Sequence, residues 1–235
     1  MVEKIKAIEQ VIAQVGLSKE EVISYWQQKS NNEPVNPETS AVVNSDFTTD
    51  DIRSQTKLFW YAFAGGKFAS DPKAYPNCQG VVGWINPDKN ASEGDRIYVV
   101  LPEFRFDEYS YEYCKTGAND ENDGRANTLR LIDYARQHFV KFPAALYAHN
   151  YCKNGVTQGE VFLPAREQLR QLCKHSEGLR ESLRKIGGSF HGELFSSTEA
   201  SYCDVWVVHS NSGGMTTYSK NCNKTNVFTV YILAY

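Results

Sequence analysis

GEVFLPAREQLRQLCKHSEGLRESLRKIGGSFHGELFSSTEASYCDVWVVHSNSGGMTTYSKNCNKTNVFTVYILAY, residues 159–235, is the stretch whose reading decides the fold. Pro164 stands at a helix start, where its missing N–H costs nothing. Leu169 and Leu172 then share one helical face. A second segment carries Leu179, Leu183 and Ile186 and stops at Gly187-Gly188, a fitting C-terminal signal. Beyond the glycines the pattern turns strand-like: Val205 to His209, a turn over Asn211 to Gly214, and Val227 to Leu233. Helices followed by strands in one segment predict an α+β class.

Working outward, Phe59 to Phe63, Val81 to Ile85 and Ile97 to Leu101 predict three more strands, the last two joined by the turn-rich NPDKNASEGD. Asn127-Thr128 reads as the cap of a helix carrying Leu129, Ile132, Ala135 and Phe139 on one face. Residues 30–50 are polar with two prolines and read as a linker, so the main domain is expected over 51–235. Before the linker, residues 1–29 read as a helical extension. Val2, Ile5, Ile8, Ile12 and Val15 draw one apolar stripe, Gly16 interrupts it, and Ser18 with Glu21 forms a capping-box start for a second helix through Trp26. Such helices would pack on the domain or mediate homo-oligomerisation. Two heptads are too few for a coiled coil.

Composition narrows the function class. A net charge of −3 over 235 residues supplies no basic face for nucleic acid. No run of 18 apolar residues exists, so no membrane insertion is expected. MVEKIKAIEQVIAQ has charges where a secretory leader needs an apolar core. That reading expects a virion component, or a cytoplasmic protein before non-classical export. The six cysteines form no C-x-x-C pair and read mostly as free thiols, with Cys203–Cys222 the pair most worth testing. Asn90-Ala-Ser92 and Asn223-Lys-Thr225 are formal glycosylation sequons that mean little without a leader.

Several ordered elements carry a resemblance: Phe162-Leu163-Pro164-Ala165 with Gln168-Leu169, then Phe195-Ser196-Ser197-Thr198-Glu199, Trp206, Gly213, Lys220 and the closing Val230-Tyr231-Ile232-Leu233-Ala234-Tyr235. Upstream, Gly80-Val81-Val82, Asp123-Gly124-Arg125-Ala126-Asn127-Thr128 and Pro143-Ala144-Ala145 fall in the same order. The set, over residues 58–235, resembles a bacterial C-type-lectin-like domain family of the SSTE-motif type. The family's Trp before Leu-Pro is here Val161-Phe162, and its Val-Arg-Pro-Val near the end is Phe228-Thr229-Val230-Tyr231. The resemblance implies a C-type-lectin-like fold with an N-terminal helical extension. It extends to the variable proteins of diversity-generating retroelements, in which adenine-directed mutation diversifies exposed C-terminal positions. Asn-type codons mutated so reach Tyr, Ser, Thr, Cys, Asp, His, Gly and Val, and do not reach Trp, Lys, Met, Glu or Gln. Residues 201–226 hold the reachable types almost throughout, with Trp206, Met215, Lys220 and Lys224 as exceptions.

The implied function is display of a ligand- or receptor-binding surface, phage-borne or on a bacterial surface, without catalysis and without a cofactor or metal. The partner would be a protein or glycan receptor. Tyr gives rigid amphipathic contact area, while Ser, Asn and Gly give adaptable hydrogen bonds. With Trp206 facing the core, strand alternation turns Val205, Val207 and His209 the other way. The contact candidates are Tyr202, Asp204, Val207, His209, Asn211, Thr217, Tyr218, Asn221 and Asn223. Ser196 to Glu199 read as structural, their short side chains satisfying buried backbone.

Other chemistries fit less well. No G-x-S-x-G elbow accompanies Ser196-Ser197. The cysteine-pair motif of formylglycine-generating oxidases, which share the broad fold, does not match. His149 with Cys152 and Cys173 with His175 offer zinc-type ligands at no recognised spacing. Asn119 to Gly124 resembles half a calcium loop, but its twelfth position falls on basic Arg130. The E-P-N and Q-P-D sugar-binding signatures are absent. The alternative to a binding protein is a structural or assembly protein joined through the N-terminal helices.

Overall fold

A computed structural model describes residues 49–54, 56–88, 90–92, 94–105, 109–221 and 227–235. The expected N-terminal helical extension, most of the linker, and Cys222 and Asn223 lie outside the described residues. Residues Phe47–Tyr235 form one compact unit. Its first helix, α1 (Thr49–Ser54), begins two residues before the expected domain start at Asp51.

The architecture is α+β, built on a large sheet. Strands β1 (Tyr61–Phe63), β2 (Lys67–Ala69), β3 (Cys78–Ile85) and β4 (Ile97–Arg105) come first. Helices α2 (Gly124–His138) and α3 (Pro143–Asn150), the two-residue strand β5 (Val161–Phe162), and helices α4 (Arg166–Cys173) and α5 (Ser176–Arg184) follow. Strands β6 (Glu193–Glu199), β7 (Asp204–His209), β8 (Met215–Ser219) and β9 (Val227–Ala234) complete it. The strand order is β2-β1-β3-β4-β9-β6-β7-β8, with β5 also on β9. β9 is therefore central. One edge pairs antiparallel with β4. The other pairs parallel with β6 through Val227 and Phe228, and antiparallel with β5 through Ile232 and Leu233.

The central strands read as near-continuous apolar runs because both sheet faces are covered. On one face, Val99 and Leu101 of β4 and Tyr231 and Leu233 of β9 share a core with Leu131 and Ile132 of α2 and Ala144, Ala145 and Ala148 of α3. On the other, Tyr98, Val100, Val230 and Ile232 pack with Leu169 and Leu172 of α4 and Leu179 and Leu183 of α5. The predicted apolar faces of α4 and α5 are thus the ones buried.

The helix after residue 123 departs from expectation. Its cap is Asp123, whose carboxylate accepts from the Ala126 N–H at 2.8 Å. Asn127 and Thr128 lie inside α2, fully buried. The buried stripe runs through Leu131 and Ile132, while Leu129 is exposed and Phe139 is 91% exposed in a left-handed C-terminal position. Asn127 and Thr128 serve neighbouring loops rather than their own helix start, which displaces the apolar face by a residue or two. The first predicted strand also shortens, to Tyr61–Phe63, because Phe59 has φ 70° and turns the chain.

Candidate functional site

The sequence elements that are far apart in the chain meet in one hydrogen-bonded frame. Asn127 Nδ2 donates to the Asp120 carbonyl at 2.7 Å and to Ser197 Oγ at 3.2 Å, and its Oδ1 accepts from the Asp120 N–H. Thr198 Oγ1 donates to the same Asp120 carbonyl at 2.9 Å and accepts from the Arg166 N–H, the first residue of α4. Gln168 Oε1 accepts from the N–H groups of Ala165 and Gly124, joining the starts of α4 and α2. Thr128 Oγ1 donates to the Gly124 carbonyl and accepts from the Leu163 N–H. Ser196 Oγ donates to the Trp206 carbonyl at 2.8 Å. Each buried polar side chain thus satisfies irregular backbone that would otherwise be desolvated without a partner.

The frame ends on a buried ion pair. Lys220 is fully buried, and its ammonium donates to Glu199 Oε1 and, at 2.5 Å, to the Cys114 carbonyl. The Glu199 carboxylate also accepts from the Thr116 and Gly117 N–H groups at 3.0 and 3.1 Å. Two backbone bonds lash the same region: Ser110 N–H to the Lys220 carbonyl, and Lys220 N–H to the Cys203 carbonyl. Burial raises the pKa of the neighbouring Cys114 thiol, with the Lys220 charge opposing that shift. The pair fixes the segment over residues 109–118 against the end of β8.

An exposed aromatic and polar crest stands on that base. Tyr113 and Tyr202 face each other with ring centroids 6.5 Å apart, and both are exposed. The Tyr113 hydroxyl donates to Asn221 Oδ1 at 3.0 Å. Ser219 Oγ lies 2.7 Å from that same oxygen and 3.0 Å from the Tyr113 hydroxyl. Tyr111, 54% exposed, belongs to the same segment. Sequence reasoning found Tyr202 and Asn221 but missed Tyr111 and Tyr113. The alternation Tyr109-Ser-Tyr111-Glu-Tyr113 was the available signal, dense in aromatics outside any predicted strand.

The remaining candidates divide between two faces of β7 and β8. Val207 is fully buried beside Phe195, and so is Val205. Trp206 is the half-buried residue, with the Arg166 guanidinium 4.7 Å over its ring. This reverses the expected orientation of Trp206 and removes Val207 from any contact surface. The compact valines fill the core on the α2–α3 side, while the indole lies under a cation at the start of α4. Thr217, opposite Trp206 in register, is exposed. Asp204, partly buried, accepts from Ser201 Oγ at 3.0 Å and closes the β6–β7 turn. His209 and Tyr218 share the other face with Glu193: the Tyr218 hydroxyl donates to Glu193 Oε1 at 2.7 Å, and His209 Nδ1 lies 3.5 Å from the same oxygen. Asn211 is exposed and accepts from Arg180 at 2.6 Å. Tyr202 and Asn221 therefore come together at the crest, and His209 and Tyr218 at Glu193, but the eight described candidates do not form one surface.

Among the described residues no three His, Cys, Asp or Glu side chains gather as metal ligands. Of the zinc-type candidates, Cys152 is exposed and Cys173 buried. No helix among them is long and apolar enough to cross a membrane.

Comparison with known proteins leaves the family open. No family model matches the chain, and no curated protein matches it. The fold is similar to the crystal structure of a fimbrial protein from Bacteroides ovatus ATCC 8483, with a TM-score of 0.58 and 12% sequence identity. The likeness covers 77% of this chain and 49% of that one, so the chain spans about half the neighbour's length. At this identity the likeness is one of fold.

Proposed function

We propose that the chain is a non-enzymatic binding protein on a C-type-lectin-like scaffold, presenting the crest around Tyr113, Tyr202, Ser219 and Asn221 to a protein or glycan receptor. One observation carries the reading: buried, hydrogen-bonded residues lie beneath an exposed crest of aromatic and polar side chains. Ser196 to Glu199 and Lys220 are buried and fully engaged, whereas Tyr202 is 57% exposed two residues before β7 begins. Binding residues on such a base change at small stability cost. Tyr and Asn at the crest are also the residue types favoured in paratopes. The fimbrial neighbour agrees with a surface-displayed role, and the composition of residues 201–226 agrees with diversification.

The test joins stability to binding. Changing Tyr113, Tyr202 and Asn221 together to Ala should leave thermal melting close to wild type and abolish binding of the labelled protein to a panel of intact cells and glycans. Collapse of the fold would make these residues structural and sink the assignment. The diversification reading has its own check in the neighbouring DNA. A near-copy of the segment coding 201–226, beside a reverse transcriptase, should carry Asn-type codons at positions 202, 211, 217 and 221, differing at adenines where this chain has Tyr202 and Thr217. The codons for Val207 and Lys220 should be unchanged.

A further inference from the structure

A cleft of about 480 Å³ lies where the end of β3 meets the junction of α4 and α5, and it shares no lining residue with the crest. Its volume is in the range of small-molecule sites. Leu58, Trp84, Ile85 and Pro87 make its apolar part. The half-buried Trp84 indole is stacked on Tyr98, with centroids 4.6 Å apart and planes at 25°, so its orientation is fixed. Asn86 also lines the cleft, but its side chain is engaged within its own loop: Nδ2 donates to the Asp95 carbonyl and Oδ1 accepts from the Asp88 N–H.

The helix junction supplies the polar part through Gln171, Lys174 and His175. Lys174 is exposed, and Gln171 and His175 are partly exposed. Lys174 Nζ donates to Gln171 Oε1 at 2.7 Å. An ammonium can only donate, so this bond sets the amide with Nε2 as its remaining donor and leaves two ammonium hydrogens unused. The carbonyls of Arg170, Gln171 and Leu172 already accept from the Lys174 and His175 N–H groups. Among the described residues no carboxylate lines the cleft, and Lys174 gives it a positive charge.

A strained turn holds the two parts together. Phe59, next to Leu58, has φ 70°, a conformation that a bulky side chain rarely adopts. Its ring lies so close to Gly178 of α5 that a Cβ there would come within 2.6 Å of it, and it meets the His175 ring edge-on at 6.3 Å. Phe59 thus props the imidazole while Leu58 joins the cleft wall. Backbone strain of this kind concentrates at ligand sites.

We infer that this cleft binds a small planar aromatic carboxylate. The ring packs on Trp84 and the aliphatic side chains beside it, and the carboxylate accepts from Lys174 Nζ, Gln171 Nε2 and an imidazole N–H of His175. A set of donors with one cation and no acid selects an anion, and the charge-assisted bond to Lys174 is the strongest of the three. The aromatic wall selects a flat, apolar body.

Calorimetric titration of the full-length protein with 2-naphthoate, its uncharged counterpart 2-naphthamide and the non-aromatic cyclohexanecarboxylate tests this. 2-Naphthoate should bind, and the other two should bind about tenfold more weakly or worse. Lys174→Met should weaken 2-naphthoate about tenfold and leave 2-naphthamide unchanged. Trp84→Leu should weaken 2-naphthoate and spare cyclohexanecarboxylate. No binding of 2-naphthoate at millimolar concentration overturns the inference, as does equal binding of all three compounds. Wild-type affinity of Lys174→Met for 2-naphthoate overturns it too. If Trp84→Leu fails to fold, the exposed Lys174→Met change and the three-compound comparison on the wild-type protein still decide. Crest variants should bind 2-naphthoate as wild type does, so failure here and failure of the receptor reading are separable.

Discussion

Glu199 and Lys220 illustrate how much of this molecule rests on single side chains. A buried pair is a poor source of net stability, but removing one partner strands the other charge. Lys220→Met should therefore cost about 3–5 kcal/mol in urea denaturation. The double variant Glu199→Gln with Lys220→Met should recover part of that loss. A Lys220→Met protein as stable as wild type would show that the pair does not hold the segment over residues 109–118. His191 gives a pH prediction of opposite character. Its ring packs against the stacked pair of Phe104 and Phe228, at 4.6 and 4.8 Å, and the resulting partial desolvation, with the nearby Arg180 and Arg184 charges, lowers its pKa below 6.5. The folded state thus disfavours the imidazolium. This contribution is intact above about pH 6.5, the value in the unfolded chain, and is lost as pH falls from there through the folded-state pKa. His191→Phe should flatten the pH dependence of the melting temperature below pH 6.5, as scanning calorimetry at several pH values would show. An unchanged slope would dismiss His191 as its source.

At the scale of elements, close approach decides tolerance. A Cβ on Gly124 would lie 2.2 Å from the Leu163 carbonyl oxygen, so α2 begins against the strand–helix connection with no room for a methyl group. Gly124→Ala should cost about 3 kcal/mol, at the upper end for overpacking, read as a fall in the urea midpoint. Glycine conformation is not the cause there, because the substituent meets backbone that cannot move aside. The same level shows what was legible in the sequence. α4 and α5 were, because their Leu residues sit at helical spacing and only one face is buried. The orientation of β7 was not: Val205-Trp206-Val207-Val208 has both sheet faces covered, so alternation carries no sign. Hydrophobic pattern distinguishes core from solvent, not one core from another. The crest was half legible. Tyr202 and Asn221 sit in an evident turn-rich stretch, but Tyr113 is brought to them by contacts such as those of Lys220 and Glu199, more than eighty positions away in sequence.

Across the whole unit, the two halves of the sheet are joined by one strand. β9 receives β4 on one edge and β5 and β6 on the other, so every strand pairing between the early and late segments runs through it. It also contributes to both cores, with Tyr231 on one side and Ile232 on the other. Of the described strands, the one that joins the two halves is the last to be synthesised. A nascent chain that has not yet released residues 227–234 holds two sheet fragments with open edges, and such edges recruit foreign strands. Closure by partners so distant along the chain is intrinsically slow. Translation-arrested chains ending before Val227 should stay protease-sensitive and bind chaperones, whereas chains exposing Ala234 outside the exit tunnel should become resistant in one step. Graded resistance appearing earlier would mean that one half of the sheet stands alone.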